Sequence, residues 1–403
     1  MRPRRLVYSP SMWRRITLRN YRSIEKVTVD LAPFTVVVGP NGSGKSNFAD
    51  AFVFARDVGV DASAAIARRG GIVSVRRWSK SRPYDVTVDL RAAKTQEALD
   101  TDYARHSFTI GSASAGAWTF KHETIEIVRR GKPILNVERH RGHIETNPKL
   151  LLSLPSPTAS AMLFVRQTQQ WRNEISILAN ALSGIRRNRL NPDVMRQPQA
   201  VTENTRLDET GSNLTSALRR LKEKEPRKFQ ELLLAMRKIV PGLTSISVMD
   251  VARHLSLEFE QAQGHGATAH FSGTEMSEGA LRALGIAVAA RQMLSNELLI
   301  IEEPEVNIHP GAATLLFEIL QSASRRGTVL LTTHSPDLLD ATRDEQILVC
   351  HYSKGVTRVG PLETAQRQLV RDGLFSIAEL MRTEPLRIEG QPPATLDPRQ
   401  EVP

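Results

Sequence analysis

An α/β fold organised around a phosphate-binding loop is predicted by two stretches of this sequence. In the first, Thr35-Val36-Val37-Val38 runs into Gly39-Pro40-Asn41-Gly42-Ser43-Gly44-Lys45-Ser46-Asn47: an apolar strand, a glycine-rich turn and a helix start. In the second, Leu298-Leu299-Ile300-Ile301 runs into Glu302-Glu303-Pro304-Glu305. Four apolar residues there make a buried parallel strand, with two carboxylates at its C-terminal end, where ligands bind in open α/β sheets. Gly39 to Ser46 fit G-x-x-x-x-G-K-[ST]. Glycines let backbone N–H groups curl around phosphate oxygens, and the following helix points its positive end at them. In such a loop the lysine, here Lys45, reaches the β- and γ-phosphates, and the hydroxyl of Ser46 holds Mg²⁺.

Composition narrows the classes. A chain of 403 residues can bury a sizeable core and form two or three lobes. Its formal net charge of +11 and sequence pI of about 10.0 favour an anionic partner, nucleic acid first. Cys350 is the only cysteine, which excludes an internal disulfide and a cysteine metal site. Met1-Arg2-Pro3-Arg4-Arg5 is basic but lacks a signal-peptide apolar stretch, and no segment is apolar for long enough to cross a bilayer. A cytoplasmic, membrane-free protein is expected.

In chain order, residues 1–13 read as a loose tail. Arg15 to Leu18 and Lys26 to Leu31 alternate as strands, joined by Asn20-Tyr21-Arg22-Ser23-Ile24-Glu25. The strand Phe34 to Val38 enters the loop, and a helix follows from Lys45 to about Arg56. Residues 58–82 are rich in small residues and arginine. Asp85 to Leu90, Phe108 to Ile110, Ala117 to Val128 and Ile134 to Arg139 read as a meander, with Gly131-Lys132-Pro133 a turn. From Lys149 to Arg237 apolar residues recur at helical spacing, and Gly211-Ser212-Asn213 predicts a capped helix start. Arg186, Arg187 and Arg189, and the run Arg219, Arg220, Lys222, Lys224, Arg227 and Lys228, are candidates for a basic surface. After the Pro241-Gly242 break, Ile246 to Met249 and Leu255 to Phe259 alternate as strands, and Gln261 to Ala269 is a loop. Met276-Ser277-Glu278-Gly279-Ala280 opens a helix running to about Leu294, with Ser277 as its N-cap. Val329 to Thr333 is a further strand ending at His334, and 346–378 give a strand, a turn and a terminal helix. The tail from 389 is proline-rich. No heptad run is long enough for a coiled-coil arm.

Asn20-Tyr21-Arg22-Ser23-Ile24, a strand, and then Gly39 to Asn47 resemble the ATPase heads of the SMC, recombination-repair and OLD-type group within the ABC class. The resemblance covers about 14–56 and 270–340. It implies a mixed sheet carrying the P-loop, an antiparallel β-layer and a helical lobe. The corresponding segments are 14–148 for the N-terminal lobe, 149–269 for the helical lobe, 270–388 for the C-terminal lobe and 389–403 for the tail. It implies ATP and Mg²⁺, with Arg22 near the nucleotide. Met-Ser-Glu-Gly-Ala stands where the group's Leu-Ser-Gly-Gly-Gln signature stands, so Ser277 and Gly279 would grip the γ-phosphate bound to an opposite subunit. Glu302 resembles the metal-side residue of Walker B, usually Asp in the group. Glu303 resembles the catalytic glutamate, and His334 the switch histidine. The group's glutamine loop is not placed; Gln167, Gln169 and Gln170 are available.

Two functions follow. One is an ATP hydrolase that closes as a homodimer around two nucleotides and couples closure to a nucleic-acid transaction, in DNA repair or phage defence. The other is a slow ATPase that acts as a regulatory scaffold for a separate effector nuclease or toxin. About 70 residues follow His334, short for the nuclease domain fused to OLD-type ATPases, so a nuclease is expected as a partner chain. The motor of a membrane transporter is disfavoured by the SMC-like N-terminus and the unplaced glutamine loop.

Overall fold

The computed structural model describes residues 12–391, apart from 81, 114–116, 141, 150–153, 155, 166–171, 264–265 and 341. Gln167, Gln169 and Gln170 therefore lie outside the described residues, as do most of the two tails. In chain order come β1 (Met12–Tyr21), β2 (Ile24–Asp30), β3 (Phe34–Val38), α1 (Lys45–Ala67), α2 (Ile72–Val75), β4 (Val86–Ala93), β5 (Tyr103–Ser112) and β6 (Trp118–Arg129). Then follow β7 (Lys132–His140), β8 (His143–Asn147), α3 (Ala161–Val165), α4 (Arg172–Ser183), β9 (Ile185–Asn188), α5 (Pro192–Arg196), β10 (Gln199–Ala200), α6 (Leu214–Lys224) and α7 (Pro226–Ile239). The remainder is β11 (Leu243–Val251), β12 (His254–Ala262), β13 (Thr268–Ser272), α8 (Glu278–Arg291), β14 (Leu298–Glu302), α9 (Pro310–Ala323), β15 (Thr328–Thr333), β16 (Ile347–Ser353), β17 (Val356–Pro361), α10 (Thr364–Arg371) and α11 (Ile377–Thr383). Backbone packing divides the chain into two compact units, the first spanning 1–185 and 342–403, the second 186–341.

In the first unit the strand order is β8-β7-β6-β5-β4-β1-β2-β17-β16-β3. From β8 to β2 every pairing is antiparallel, whereas β17 lies parallel to β2 and β16 parallel to β3, so the sheet is mixed. All five residues of β3 are buried, Thr35 among them, which accounts for its run of three valines. The helix α1 runs past the expected Arg56 to Ala67, interrupted at Asp61 (φ −152°, ψ 100°). The Asp61 carboxylate accepts from the Ala64 N–H at 2.9 Å and restarts the helix. Phe48, Phe52, Val53 and Phe54 are all buried, so α1 is apolar on more than one face and sits in the core.

Three local expectations change here. The turn before β7 is Arg130-Gly131, both at positive φ, so Lys132 and Pro133 already belong to the strand. The strand β8 alternates between exposed and half-buried residues, without the buried apolar face that would have announced it. The C-terminal segment is a hairpin, β16–β17, followed by two helices, and it returns to flank β3 and β2. Parallel pairing between residues three hundred apart leaves no local pattern in a sequence.

In the second unit β14 and β15 pair in parallel, from Leu298 opposite Thr328 to Glu302 opposite Thr332. A separate antiparallel sheet has the order β10-β12-β11, with β13 also paired to β12. Part of the expected loop before Met276 is thus strand β13. The Gly211-Ser212-Asn213 start is real, but Asn213 makes no capping bond to α6. Its side chain accepts from the Asp208 N–H and donates to the Asn204 and Arg206 carbonyls, while Asp208 accepts from the N–H groups of Thr210, Gly211 and Ser212. No helix among the described residues is long and apolar enough to cross a membrane.

Candidate functional site

In the first unit, β3 delivers the Gly39–Ser46 turn to the N-terminus of α1. Glycine is required at two positions by close approach. A Cβ on Gly39 would collide with the backbone oxygen of Cys350 on β16, and one on Gly44 with the Thr357 side chain on β17. Gly44 also sits at φ 102°, a conformation that L side chains rarely adopt. The Lys45 ammonium is buried and donates to the carbonyls of Gly39 (2.8 Å) and Pro40 (3.0 Å), so it lies in the curl of the loop. Pro40, Asn41, Gly42 and Ser46 face solvent. No side chain caps α1 and its first turn carries no acid, which leaves a positive helix end available to an anion.

The loop is braced from behind. Thr357 Oγ1 donates to the Ser43 carbonyl (3.0 Å) and pairs with Ser23 Oγ (2.8 Å), which accepts from Asn47 Nδ2 (2.7 Å). Cys350 Sγ also donates to the Ser43 carbonyl, and burial raises that thiol to about 11. Arg22, at φ 49° in the turn between β1 and β2, donates to Asn47 Oδ1 (3.2 Å) and pairs with Asp50 (3.0 Å). Asp50 further accepts from Tyr21 OH (2.6 Å) and from Arg69 (3.0 and 3.1 Å), both deeply buried. Burial pushes the Asp50 carboxyl up, but the bonds from Arg69, with Arg22 and Tyr21, pull it further down, and the net shift is below the usual carboxylate range. Asp50 and Arg69 were missed in the sequence; an aspartate among buried helix positions was the available signal.

In the second unit, β14 ends in Glu302 and the chain turns sharply at Glu303, a non-glycine residue at φ 47°. Glu303 N–H donates to the Thr332 carbonyl (2.8 Å), and Arg282 donates to the carbonyls of Glu302 (3.2 Å) and Glu303 (3.0 Å). His334 Nδ1 lies 3.5 Å from Glu303 Oε1 and 3.7 Å from Glu305 Oε1. Thr333 Oγ1 donates to Glu305 (2.5 Å), fixing the carboxylate beside the histidine. Glu302 is nearly buried, and Arg189 Nε (3.5 Å) and Arg187 Nη1 (3.9 Å) approach its Oε1, which accepts no hydrogen bond.

Ser277 caps α8, its Oγ accepting from the Ala280 N–H (3.2 Å). Gly279 is pressed against the Asn307 carbonyl, where a Cβ would not fit. The acid in the segment expected as the signature is compensated: Glu278 accepts from Asn307 Nδ2 (2.9 Å) and lies 3.8 Å from Arg196. The expected basic surface at 186–189 is corrected for Arg186 and Arg187, while Arg189 is exposed. Arg186 is folded inward, donating to the Leu207 carbonyl (2.6 Å), with burial lowering its guanidinium to about 10. Arg187 is occupied with Glu209 at 2.8 Å. On α6 and α7 Arg219 is paired with Asp250 and Lys228 with Glu225, whereas Arg220, Lys222, Lys224 and Arg227 are exposed.

Residues 12–97 match the family described as AAA ATPase domain, and residues 169–340 match AAA domain, putative AbiEii toxin, Type IV TA system. The OLD nuclease of Thermus scotoductus (strain ATCC 700910 / SA-01) is 22% identical over 354 residues, covering 83% of this chain and 61% of that protein. The chromosome partition protein Smc of Methanocaldococcus jannaschii is 51% identical over 41 residues, 10% of this chain and 4% of that protein. The chain thus spans less than two thirds of either relative. The solved Smc head bound to the C-winged helix domain of ScpA shares the fold, with TM-score 0.57 and 15% identity over 89% of this chain and 99% of that one. The fold is that of a P-loop ABC-type ATPase head. The family matches and the OLD and Smc relatives make the chain similar to ATPases of the SMC- and OLD-like kind.

Proposed function

We propose that this chain binds ATP with Mg²⁺ and hydrolyses it. The observation that carries the reading is the Gly39–Ser46 turn, with a buried lysine in its curl and glycines where any side chain would collide. Lys45 and the backbone N–H groups of the turn hold the phosphates, with Ser46 and Glu302 as metal ligands; the unbonded Glu302 oxygen fits that role. Bound Mg²⁺ neutralises phosphate charge. Glu303 positions and deprotonates the attacking water, with His334 beside it as the γ-phosphate contact. Lys45→Ala should weaken ATP binding by at least about tenfold, since it removes a charge and its hydrogen bonds to phosphate. Equal affinities by calorimetry would refute the assignment.

Ser277 and Gly279, at an exposed helix start, suit a phosphate held by a second copy, so we further propose an ATP-closed homodimer. The exposed Arg220, Lys222, Lys224 and Arg227 are the surface proposed for nucleic acid, in a cytoplasmic repair or defence pathway. Binding there should weaken steeply with salt in a mobility-shift series, because it rests on released counterions. The two arginines at Glu302 favour a second reading, a slow ATPase that recruits a separate effector nuclease, as they compete with the metal for that carboxylate. Rapid turnover of the isolated chain would exclude it.

A further inference from the structure

The outward face of β12 carries a second set of metal-ligating groups, outside the residues assigned to ATP. Leu255, Leu257 and Phe259 of this strand are buried, so the alternate residues Glu258 and Glu260 project together from the opposite, half-buried face. On the neighbouring β13, His270 stands directly opposite Glu260 and diagonal to Glu258. Ligand atoms of Glu258, Glu260 and His270 all lie within 4.8 Å of one another. His270 Nδ1 is 3.5 Å from Glu258 Oε1, and Ser247 Oγ on β11 donates to the other oxygen at 3.1 Å, orienting the carboxylate toward the imidazole.

Charge supplies an independent argument. The chain has 54 Lys and Arg against 43 Asp and Glu, and in the second unit Glu209, Glu231, Asp250 and Glu297 are each paired with an arginine. Yet among the described residues neither Glu258 nor Glu260 has a Lys or Arg within ion-pair distance, although the two like charges stand side by side. Such a pair is repulsive unless a cation joins it. We propose that Glu258, Glu260 and His270 form a site for one divalent transition ion. Two carboxylates, one imidazole and no thiolate suit Zn²⁺ or Mn²⁺ with solvent completing the sphere. The ion would tie β13 to β12. β13 leads through the Ser272–Glu275 capping turn to Ser277, so the site would steady the approach to the signature helix.

The full chain, stripped with chelator and free of nucleotide, is titrated with Zn²⁺ by calorimetry. One equivalent is expected, weakened at least about tenfold in His270→Ala and in Glu260→Gln, with Glu318→Gln, an exposed acid on α9, binding as wild type. Circular dichroism of the variants should be unchanged, since all three groups lie on the outward face of the sheet. Absence of binding up to millimolar Zn²⁺, or binding by His270→Ala and Glu260→Gln equal to that of wild type, would overturn the proposal. The readout is independent of ATP, so it stands or falls apart from the ATPase reading.

Discussion

The two halves of the candidate ATPase machinery are held by different physics. In the first unit, the proposed phosphate site is a backbone shape: glycines packed against neighbouring strands, a buried lysine, and a brace of Thr357, Ser23, Asn47 and Arg22 behind the loop. In the second, the chemistry is a set of charges on a sharp turn: Glu302 near two arginines, and Glu303 beside His334. A shape is rigid and tolerates little substitution. A charge set can be altered one residue at a time, and Glu278, in the segment that resembles the signature, is compensated by Asn307 and Arg196.

The largest expected effect lies in the charge set. Glu303→Gln keeps size and hydrogen-bonding reach but removes the base, so turnover should fall by about 10²–10⁴ while ATP affinity holds. Uncleaved ATP should then trap the dimer in size-exclusion chromatography, and adding Ser277→Arg should release it. Wild-type turnover in Glu303→Gln would break the assignment. Lost turnover without association would spare the base and remove the dimer.

The next effect tests the rigid half. Asp50→Asn leaves the Arg69 guanidinium without its main partner in a site where both side chains are under 10% exposed. Breaking a buried pair typically costs about 3–5 kcal/mol, and the lower end is expected because Asp57 also faces Arg69 at 3.1 Å. Denaturant unfolding measures it. Because the folded Asp50 carboxyl is held below its ordinary value, its contribution is complete at neutral pH and is lost as pH falls through the acidic range. The acid limb of stability should therefore be flatter in Asp50→Asn than in wild type.

Legibility in the sequence follows the same division. The P-loop and the strand into Glu302 were readable because each joins a continuous apolar run to a turn of fixed chemistry, and Phe34–Val38 was bounded correctly. The brace behind the loop was not readable. Thr357 and Cys350 arrive from strands three hundred residues away, and nothing local marks them as neighbours of Ser43. Arg186 looked like part of a surface run because adjacent arginines have the same composition whether they point in or out; only the Leu207 carbonyl decides it. Likewise Asn213 reads as a cap by residue type, yet its side chain serves the preceding loop.

A matched pair of glycine substitutions sharpens the contrast. Gly39→Ala and Gly279→Ala would each drive a methyl into a backbone carbonyl, that of Cys350 and that of Asn307. Cys350 lies within paired strand β16, whereas Asn307 sits in a turn at φ 61° with no strand partner to hold it. A carbonyl fixed in a sheet cannot retreat, so Gly39→Ala should cost about 3 kcal/mol and Gly279→Ala about 1 kcal/mol in unfolding experiments. Equal costs would show the second unit's turn to be as rigid as the loop.

The smallest effect asks how far the charge set can be tuned. Arg189 is 56% exposed and stands 3.5 Å from Glu302, so solvent screens most of their attraction. Such a pair contributes well under about 1 kcal/mol, which corresponds to at most about a fivefold change in an equilibrium constant. If Arg189 competes with Mg²⁺ for the carboxylate, Arg189→Ala should lower the Mg²⁺ concentration for half-maximal hydrolysis by up to that factor, and leave the maximal rate unchanged. Arg189→Lys, retaining the charge, should behave as wild type. A fall in the maximal rate of Arg189→Ala would instead make the guanidinium a contributor to the reaction, and the second unit's charges would then be as indispensable as the glycines of the first.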